Sequence, residues 1–479
     1  MGPFGSIKRF LSHLTFAAFT NKQAELRGTT PEYLYLEERK EKTPNDELAR
    51  VHLEKGLWSF RRLYERCEQA RKKYKAAGVT PDDVRSLEDF QKIPFLTKRD
   101  FLDAYPTGML CVDVADVVRL HCTSGTSGNR PTTGFYTMND LEAWTTLTAR
   151  NLVCVGCTRE DVFQNTTSSG LFTGGFGYTQ GATRVGMMVI PFGGGMTEKQ
   201  IQFFKDFGVT AIHAIPSFGL RIAEVAEKIG VDPREELRLR IGIFGAEGWS
   251  EATRKRIQDG LGVKAYDNYG LTEACGPGVA VECPEQAGMH VWSDHFYPEV
   301  VDPDTGEVLP EGEVGELVLT SLFKEAVPIF RYRTGDITRL WRSDCACGRT
   351  GYVIDRILGR VSDFHVIKGV NLYPSQIEEE IFKVPEATDT YLIIFQTVGV
   401  MDQVTVQVEA RPGADKGALK EKLEKALYLA TMMKIPVTVF DEGTLPRQEG
   451  KAIRVKDTRE RPEGFKGWEK IRDKYRKTR

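Results

Sequence analysis

Several things are missing from this chain of 479 residues, and each absence removes a class of function. No stretch reaches the 18 or more consecutive apolar residues that a membrane span needs, so no membrane is expected as a partner. Net charge is scarce: 65 Lys and Arg against 67 Asp and Glu leave −2, which gives no electrostatic ground for a nucleic-acid partner. Cysteine is sparse, nine residues scattered along the chain. An odd number so spread argues against a disulfide framework and for a reducing, cytoplasmic home. There is no internal repeat and no low-complexity segment. The nucleotide P-loop spacing G-x-x-x-x-G-K-[ST] is absent as well. Near the start, Lys8 and Arg9 precede a weakly apolar stretch broken by His13, Thr15 and Thr20; with no credible cleavage site, a signal peptide is not expected. Gly2 and Ser6 fit the myristoylation spacing, but so short a pattern recurs by chance and Pro3 weighs against it.

What remains is the composition of a globular protein, 41% hydrophobic and 28% charged, long enough for two or three domains with sizeable cores. Its centre is Cys122 to Thr137. Ser124, Gly125, Thr126, Ser127 and Gly128 crowd glycines and hydroxyls together after Thr123, and Arg130 follows. Glycine lets backbone N–H groups approach an anion, hydroxyls add neutral donors, and a guanidinium suits phosphate oxygens. The apolar run Val114 to His121 reads as a strand leading into a phosphate-cradling loop. An ordinary Ser/Gly surface loop is the alternative for this stretch taken alone.

Charge and helix formers dominate residues 45–110, as in Leu57 to Ala77. Between about 139 and 260, helical stretches alternate with short apolar runs: Leu141–Cys154, Val185–Pro191, Glu198–Phe207, Thr210–Ile215, Phe218–Ile229 and Ile241–Phe244. That alternation predicts α/β units with parallel strands. Gly170–Gly177 and Gly193–Gly195 are expected to be flexible loops at strand ends, where open α/β sheets bind ligands. From Val291 to Trp341, short β-like runs separated by turns predict a β-rich subdomain. After Ser375 the pattern predicts a small α+β domain: helix 375–383, strands near 389–396 and 403–409, helix 415–430 and strand 436–440. The charged residues 456–479 read as a solvated terminal helix.

Five further motifs follow the hydroxyl loop in order. They are Gly245-Ala246-Glu247-Gly248-Trp249, Asp267-Asn268-Tyr269-Gly270-Leu271-Thr272-Glu273, Arg331-Tyr332-Arg333-Thr334-Gly335-Asp336, Gly359-Arg360-Val361-Ser362-Asp363 and Pro446-Arg447-Gln448-Glu449-Gly450-Lys451. Each is weak alone; six in this order are specific. With them the chain resembles the adenylate-forming superfamily of acyl-CoA synthetases, and within it the phenylacetate-CoA ligase family. The closer likeness rests on Gly170 to Gly175, Gly-Ala-Glu-x-Trp, His295-Phe296-Tyr297-Pro298-Glu299, Gly369 to Glu378 and the Lys451 segment, and it spans roughly residues 85–460.

The resemblance implies a large N-terminal α/β domain with a β-rich part (1–358), a hinge (359–363) and a small mobile α+β C-terminal domain (364–479). It also implies a reaction. A carboxylate is a poor electrophile, so ATP converts it to an acyl-adenylate and coenzyme A then displaces AMP. No protein nucleophile is needed, and catalysis rests on positioning and charge stabilisation. By the resemblance, Ser124 to Gly128 with Arg130 hold the β/γ-phosphates, Glu273 binds Mg²⁺ and Thr272 approaches the α-phosphate. Asp336 takes the ribose hydroxyls with help from Arg360. Gly245, Ala246 and Glu247, with Asn268, Tyr269 and Gly270, line the nucleotide, and Lys451 bridges the substrate carboxylate and α-phosphate. The hinge departs from the family's Gly-Arg-x-Asp-Asp, with Ser362 in the first Asp position and Asp363 in the second.

Cys345-Ala346-Cys347-Gly348 is a tight C-x-C knuckle, with Cys283 and His290 upstream; three thiolates and an imidazole suit structural Zn²⁺. Cys154 with Cys157 is a competing pair, Cys275 a substitute ligand, and free thiols the alternative reading. The acyl pocket is expected among Phe135, Tyr136, Phe172, Phe176, Gly245 and Pro277, whose rings suit an aryl acid such as phenylacetate. Two rival functions keep the fold: an adenylyltransferase acting on a deazaflavin cofactor, and a catalytically silent nucleotide-binding protein. A homodimer is the expected assembly only because two-fold oligomers are common.

Overall fold

Buried aliphatic and aromatic residues on both faces mark the middle of a parallel sheet, and Ile241–Gly245 is buried at every position. In the computed structural model, which describes residues 33–123, 131–361, 365–367, 370–372, 374–398, 401–446 and 454–459, this strand lies inside a twelve-stranded sheet. The sheet order is Phe296–Val301, Val314–Ser321, Tyr332–Arg342, Tyr352–Ile354, Met289–Val291, Gly276–Glu282, Lys264–Leu271, Ile241–Gly245, Ala211–Ala214, Val162–Asn165 and Met188–Ile190, with Gly359–Arg360 paired to Tyr332–Arg342. The last five strands of that path run parallel to one another, as the 139–260 alternation predicts, and the remaining pairings are antiparallel. Helices Met138–Cys154, Thr173–Val185, Thr197–Asp206, Pro216–Lys228 and Glu251–Leu261 connect or flank the parallel part.

A separate C-terminal domain follows. Its four-stranded sheet has the order Val437–Asp441, Met401–Ala410, Ala387–Val398 and Val455–Asp457, covered by helices Pro374–Phe382 and Lys416–Thr431. Among the described residues, no helix is long and apolar enough to cross a membrane.

Three local expectations change. Of the run Val114 to His121 only Arg119 onward is extended; Val114–Asp116 is a 3-10 turn, and Arg119–Cys122 pairs antiparallel with Thr133–Tyr136. Residues 455–457 form an edge strand rather than the start of a terminal helix, because Ile393 and Ile394 offer an open parallel edge. Gly170–Gly177 is not simply a flexible loop, since Gly174, Gly175 and Gly177 open the helix Thr173–Val185. Their small size serves contact: a Cβ on Gly175 would lie 2.3 Å from the Ser168 carbonyl oxygen, and one on Gly177 would lie 2.7 Å from Trp144. The hydroxyl loop Ser124 to Arg130, the hinge pair Ser362 and Asp363, and Lys451 lie outside the described residues.

Candidate active site

The C-terminal ends of two central parallel strands meet in a tight junction. Gly245 closes Ile241–Gly245 where a Cβ would sit 2.5 Å from the Asn268 carbonyl oxygen, so only glycine allows the two strands to approach. The Asn268 amide donates to the Phe244 carbonyl at 2.7 Å and pins the neighbouring strand. Ala246 then takes a positive φ of 67°, a strained turn that redirects the chain. Glu247 accepts from the Ser217 backbone N–H and hydroxyl, both at 3.1 Å, which fixes the turn to the N-terminus of helix Pro216–Lys228.

Beside this junction, Asp336 is buried and its two carboxylate oxygens are separately held. Tyr269 O–H donates to one at 2.7 Å and Arg360 Nε to the other at 2.7 Å. Cross-strand pairing of Asp336 with Arg360 sets the ion pair, and the Thr334 hydroxyl accepts from the Asp336 N–H at 3.1 Å. Burial, reinforced by the Asp336 carboxylate, pushes the Tyr269 phenol well above its ordinary pKa, so it remains a donor. Arg360 is half exposed, while the Asp336 side chain is 8% exposed.

Thr272 and Glu273 follow Lys264–Leu271 directly, and Glu273 is buried. The hairpin that carries the hydroxyl loop packs against this segment: a Cβ on Gly134 would lie 3.0 Å from the Thr272 carbonyl oxygen, and Tyr136 O–H donates to the Cys275 carbonyl at 3.0 Å. Thr123 and Thr132 close the base of that loop through a 3.0 Å backbone bond. Burial, together with the Glu273 carboxylate, raises the Tyr332 pKa far above its ordinary value. Lys324 is fully buried, its Nζ 4.5 Å from the Tyr136 ring centroid, and burial lowers its pKa.

Of the aromatic residues expected near the acyl group, Phe172 is 46% exposed and Phe135 is buried. Tyr136 is wholly buried, stacked on Trp144 at 5.2 Å, and its hydroxyl is already used. Phe176 faces His121 at 5.5 Å and the Arg119 guanidinium at 5.1 Å. Trp144 Nε1 donates to the Pro277 carbonyl at 2.7 Å. His121 bonds the Leu171 carbonyl through Nδ1 at 3.1 Å, and burial lowers its pKa.

A second centre lies in the β-rich part. The ligand atoms of Cys283, His290, Cys345 and Cys347 all fall within 4.8 Å of one another. Cys283 Sγ is 3.6 Å from Cys345 Sγ, and Cys347 Sγ is 3.3 Å from His290 Nε2. A tetrahedron with Zn–S near 2.3 Å and Zn–N near 2.0 Å has edges of about 3.5–3.8 Å, so the set fits that ion. Cys283 and His290 with it favour the ionised Cys347 thiol, lowering its pKa. Cys154 and Cys275 stand outside the set: they donate to the carbonyls of Glu282 and Gly276, and burial pushes both thiols up to about 12. Cys157 is also buried and its pKa is raised by burial.

Comparison with known proteins identifies this arrangement. Over 421 residues the chain is 44% identical to the phenylacetate-coenzyme A ligase of Pseudomonas putida, covering 86% of this chain and 95% of that one. The chain belongs to the phenylacetate-coenzyme A ligase family. The corresponding ligase of Thermus thermophilus is 42% identical over 439 residues, with 88% and 98% covered. Two domain families match, the AMP-binding enzyme over residues 103–322 and the AMP-binding enzyme C-terminal domain over residues 369–459. Among solved structures, 2-hydroxyisobutyryl-CoA ligase in its postadenylation state with 2-HIB-AMP superposes with a TM-score of 0.83 at 27% identity, over 88% of this chain and 92% of that one. The same ligase in its thioesterification state, with 2-HIB-AMP and CoA, gives 0.68 at 26% identity, with 94% and 96% covered.

For a phenylacetate-CoA ligase family member, the sequence motifs identify most of the residues that converge here: Gly245 to Glu247, Asn268 to Glu273, Asp336 and Arg360. Sequence reasoning did not single out Tyr332, a buried phenol that feels the Glu273 charge, although it lies inside the Arg331–Asp336 motif. It also missed Lys324 and Trp144, which carry no spacing signal and become visible only through burial against Tyr136.

Proposed function

We propose that the protein is an ATP-dependent acid–thiol ligase acting on an aryl carboxylate, phenylacetate first, with coenzyme A as acceptor. Family membership supports the reaction class, and the doubly held Asp336 carboxylate carries the nucleotide reading. In the first half-reaction a carboxylate oxygen forms a bond to the α-phosphorus of ATP while the bond to the bridging oxygen breaks, releasing pyrophosphate. In the second, the coenzyme A sulfur forms a bond to the acyl carbon as AMP leaves. Asp336 accepts from the ribose hydroxyls, Thr272 donates to the α-phosphate, and the turn Gly245–Glu247 with Tyr269 walls the base. Ser124–Gly128 and Arg130 hold the terminal phosphates, and Lys451 stabilises the charge that develops at the α-phosphate. Glu273, a buried carboxylate, suits a Mg²⁺ bound mainly by phosphates; that ion supplies charge neutralisation when bound. Phe135, Phe172, Phe176, Tyr136 and Pro277 remain the proposed aryl surroundings.

Cys283, His290, Cys345 and Cys347 are proposed to hold a structural Zn²⁺ away from the reaction, which would tie the strand Met289–Val291 to the knuckle. All nine cysteines are free, which supports a cytoplasmic setting. The division at residues 359–363 into two domains that reorient between half-reactions is part of the same proposal.

The test is pyrophosphate release with Mg-ATP and a panel of arylacetic, benzoic and short fatty acids, with and without coenzyme A. Phenylacetate should give pyrophosphate, AMP and phenylacetyl-CoA, and Lys451→Ala should abolish the first half-reaction. AMP retained on a deazaflavin product, with no need for coenzyme A, would overturn the acceptor. ATP binding without turnover on any acid would overturn the catalytic reading.

A further inference from the structure

The helix Glu251–Leu261 of the N-terminal domain presents one face to the C-terminal domain, where directional hydrogen bonds sit beside an apolar cluster that includes residues of both domains, Ile257 and Leu261 with Ile377, Ile381 and Phe382. Thr253 and Arg256, one turn apart, share that face. Thr253 O–H donates to Glu378 Oε1 at 2.8 Å, and Glu378 also accepts from Arg454 Nη1 at 2.9 Å and from the Tyr391 hydroxyl. Arg256 reaches further. Its Nε donates to the Phe382 carbonyl at 3.0 Å, its Nη2 to the Val384 carbonyl at 3.2 Å, and its Nη1 to the Asp389 carboxylate. The guanidinium also lies 4.6 Å from the Phe382 ring centroid.

Phe382 ends the helix Pro374–Phe382, where carbonyls lose their i+4 amides and the helix dipole places negative charge. A guanidinium from another domain therefore caps this helix while pairing with Asp389. The Arg256 side chain is 17% exposed and that of Asp389 is 21% exposed, so the pair is largely withdrawn from water yet lies near a rim where water can re-enter. Elsewhere on the same helix, Lys255 pairs with Asp259, and both are exposed.

The match to one relative in two states says which arrangement these bonds belong to. The chain superposes at 0.83 on 2-hydroxyisobutyryl-CoA ligase in its postadenylation state and at 0.68 on the same ligase in its thioesterification state. We infer that Arg256 is a positioning residue for the first half-reaction: it latches the C-terminal domain in the arrangement used to form the acyl-adenylate, and its bonds must break before thioester formation. This rests on the proposed two-step ligase reaction. The latch adds a few charge-assisted bonds that water can replace to the apolar contact the two domains share, which suits a contact made and broken once per turnover.

The test separates the half-reactions in the full-length protein. Arg256→Met keeps an apolar stem over Phe382 and removes all the donors, Arg256→Lys keeps the charge, and Lys255→Met is the control. Pyrophosphate release without coenzyme A should fall about tenfold in Arg256→Met, equivalent to about 1.4 kcal/mol of transition-state stabilisation. Thioester formation from supplied phenylacetyl-AMP and coenzyme A should be unchanged or faster. Arg256→Lys should fall between, and Lys255→Met should match the wild type. A parallel loss of both half-reactions, or no change in either, would overturn the latch. Amide hydrogen exchange in Pro374–Phe382, measured without substrate, distinguishes failure of the latch from failure of the ligase reading. Faster exchange in Arg256→Met than in Lys255→Met supports the latch even if no acid is turned over, and equal exchange overturns it.

Discussion

Asp336 gathers two 2.7 Å bonds onto one buried carboxylate, and each donor comes from a different strand. Its removal should leave the Tyr269 hydroxyl without its acceptor and, on the proposed nucleotide role, the ribose hydroxyls as well. Asp336→Ala is therefore expected to raise the KM for ATP by roughly 10–100-fold, read from pyrophosphate release against ATP concentration, with Tm as the folding control. His52 shows a different consequence of burial. Its Nε2 bonds the Ser293 carbonyl at 2.7 Å, and burial lowers its pKa to about 4. Above pH 6.5 the imidazole is neutral in both the folded and unfolded chain, and its packing contribution is fully present. As pH falls from 6.5 toward 4, the unfolded chain takes up a proton that the folded one refuses, so the contribution is lost. The stability advantage of wild type over His52→Gln should therefore shrink by on the order of 1–2 kcal/mol across that window, measured by denaturant titration at each pH. A difference that stays constant with pH would contradict the assignment.

At the scale of elements, the sequence made helix and strand positions legible wherever apolar periodicity was strong. Helix Glu198–Phe207 is observed at Thr197–Asp206, and strand 436–440 at Val437–Asp441. Glycine was misread where contact outweighs flexibility. Gly177, in a segment expected to be a loop, lies inside a helix because a Cβ there would meet Trp144 at 2.7 Å and Pro277 at 3.0 Å. Gly177→Ala should push Trp144 off its bond to the Pro277 carbonyl and cost about 1–3 kcal/mol, read as a lower midpoint in urea with an unchanged slope. The same comparison of shape explains Gly245, whose role is to let two strand ends converge beside Asp336.

Across the whole molecule, two distant segments are stitched by small polar centres. Arg349, two residues beyond Cys347, pairs with buried Glu41 at 2.9 Å, so the Cys/His centre is continuous with the helical layer that precedes the large sheet. If Cys283, His290, Cys345 and Cys347 hold zinc, Cys347→Ser should lose it, measured by plasma emission on the purified protein. Its Tm should fall by about 5–10 °C. A wild-type protein purified without metal, and insensitive to chelation, would contradict the zinc assignment.

Read alone, the sequence was enough for the reaction family and for the motif residues Gly245, Asn268, Tyr269, Asp336 and Arg360 that the fold brings together, because chemistry demands particular side chains in a fixed order along the chain. It also named the four Cys/His positions that converge, since thiol and imidazole are rare enough to be counted. Tertiary structure was needed to show which cysteines stay apart, that Thr253 meets Glu378 and that Arg256 caps a helix of the other domain. Those pairings join residues far apart in the chain through packing geometry, and neither periodicity nor spacing records where two surfaces will touch.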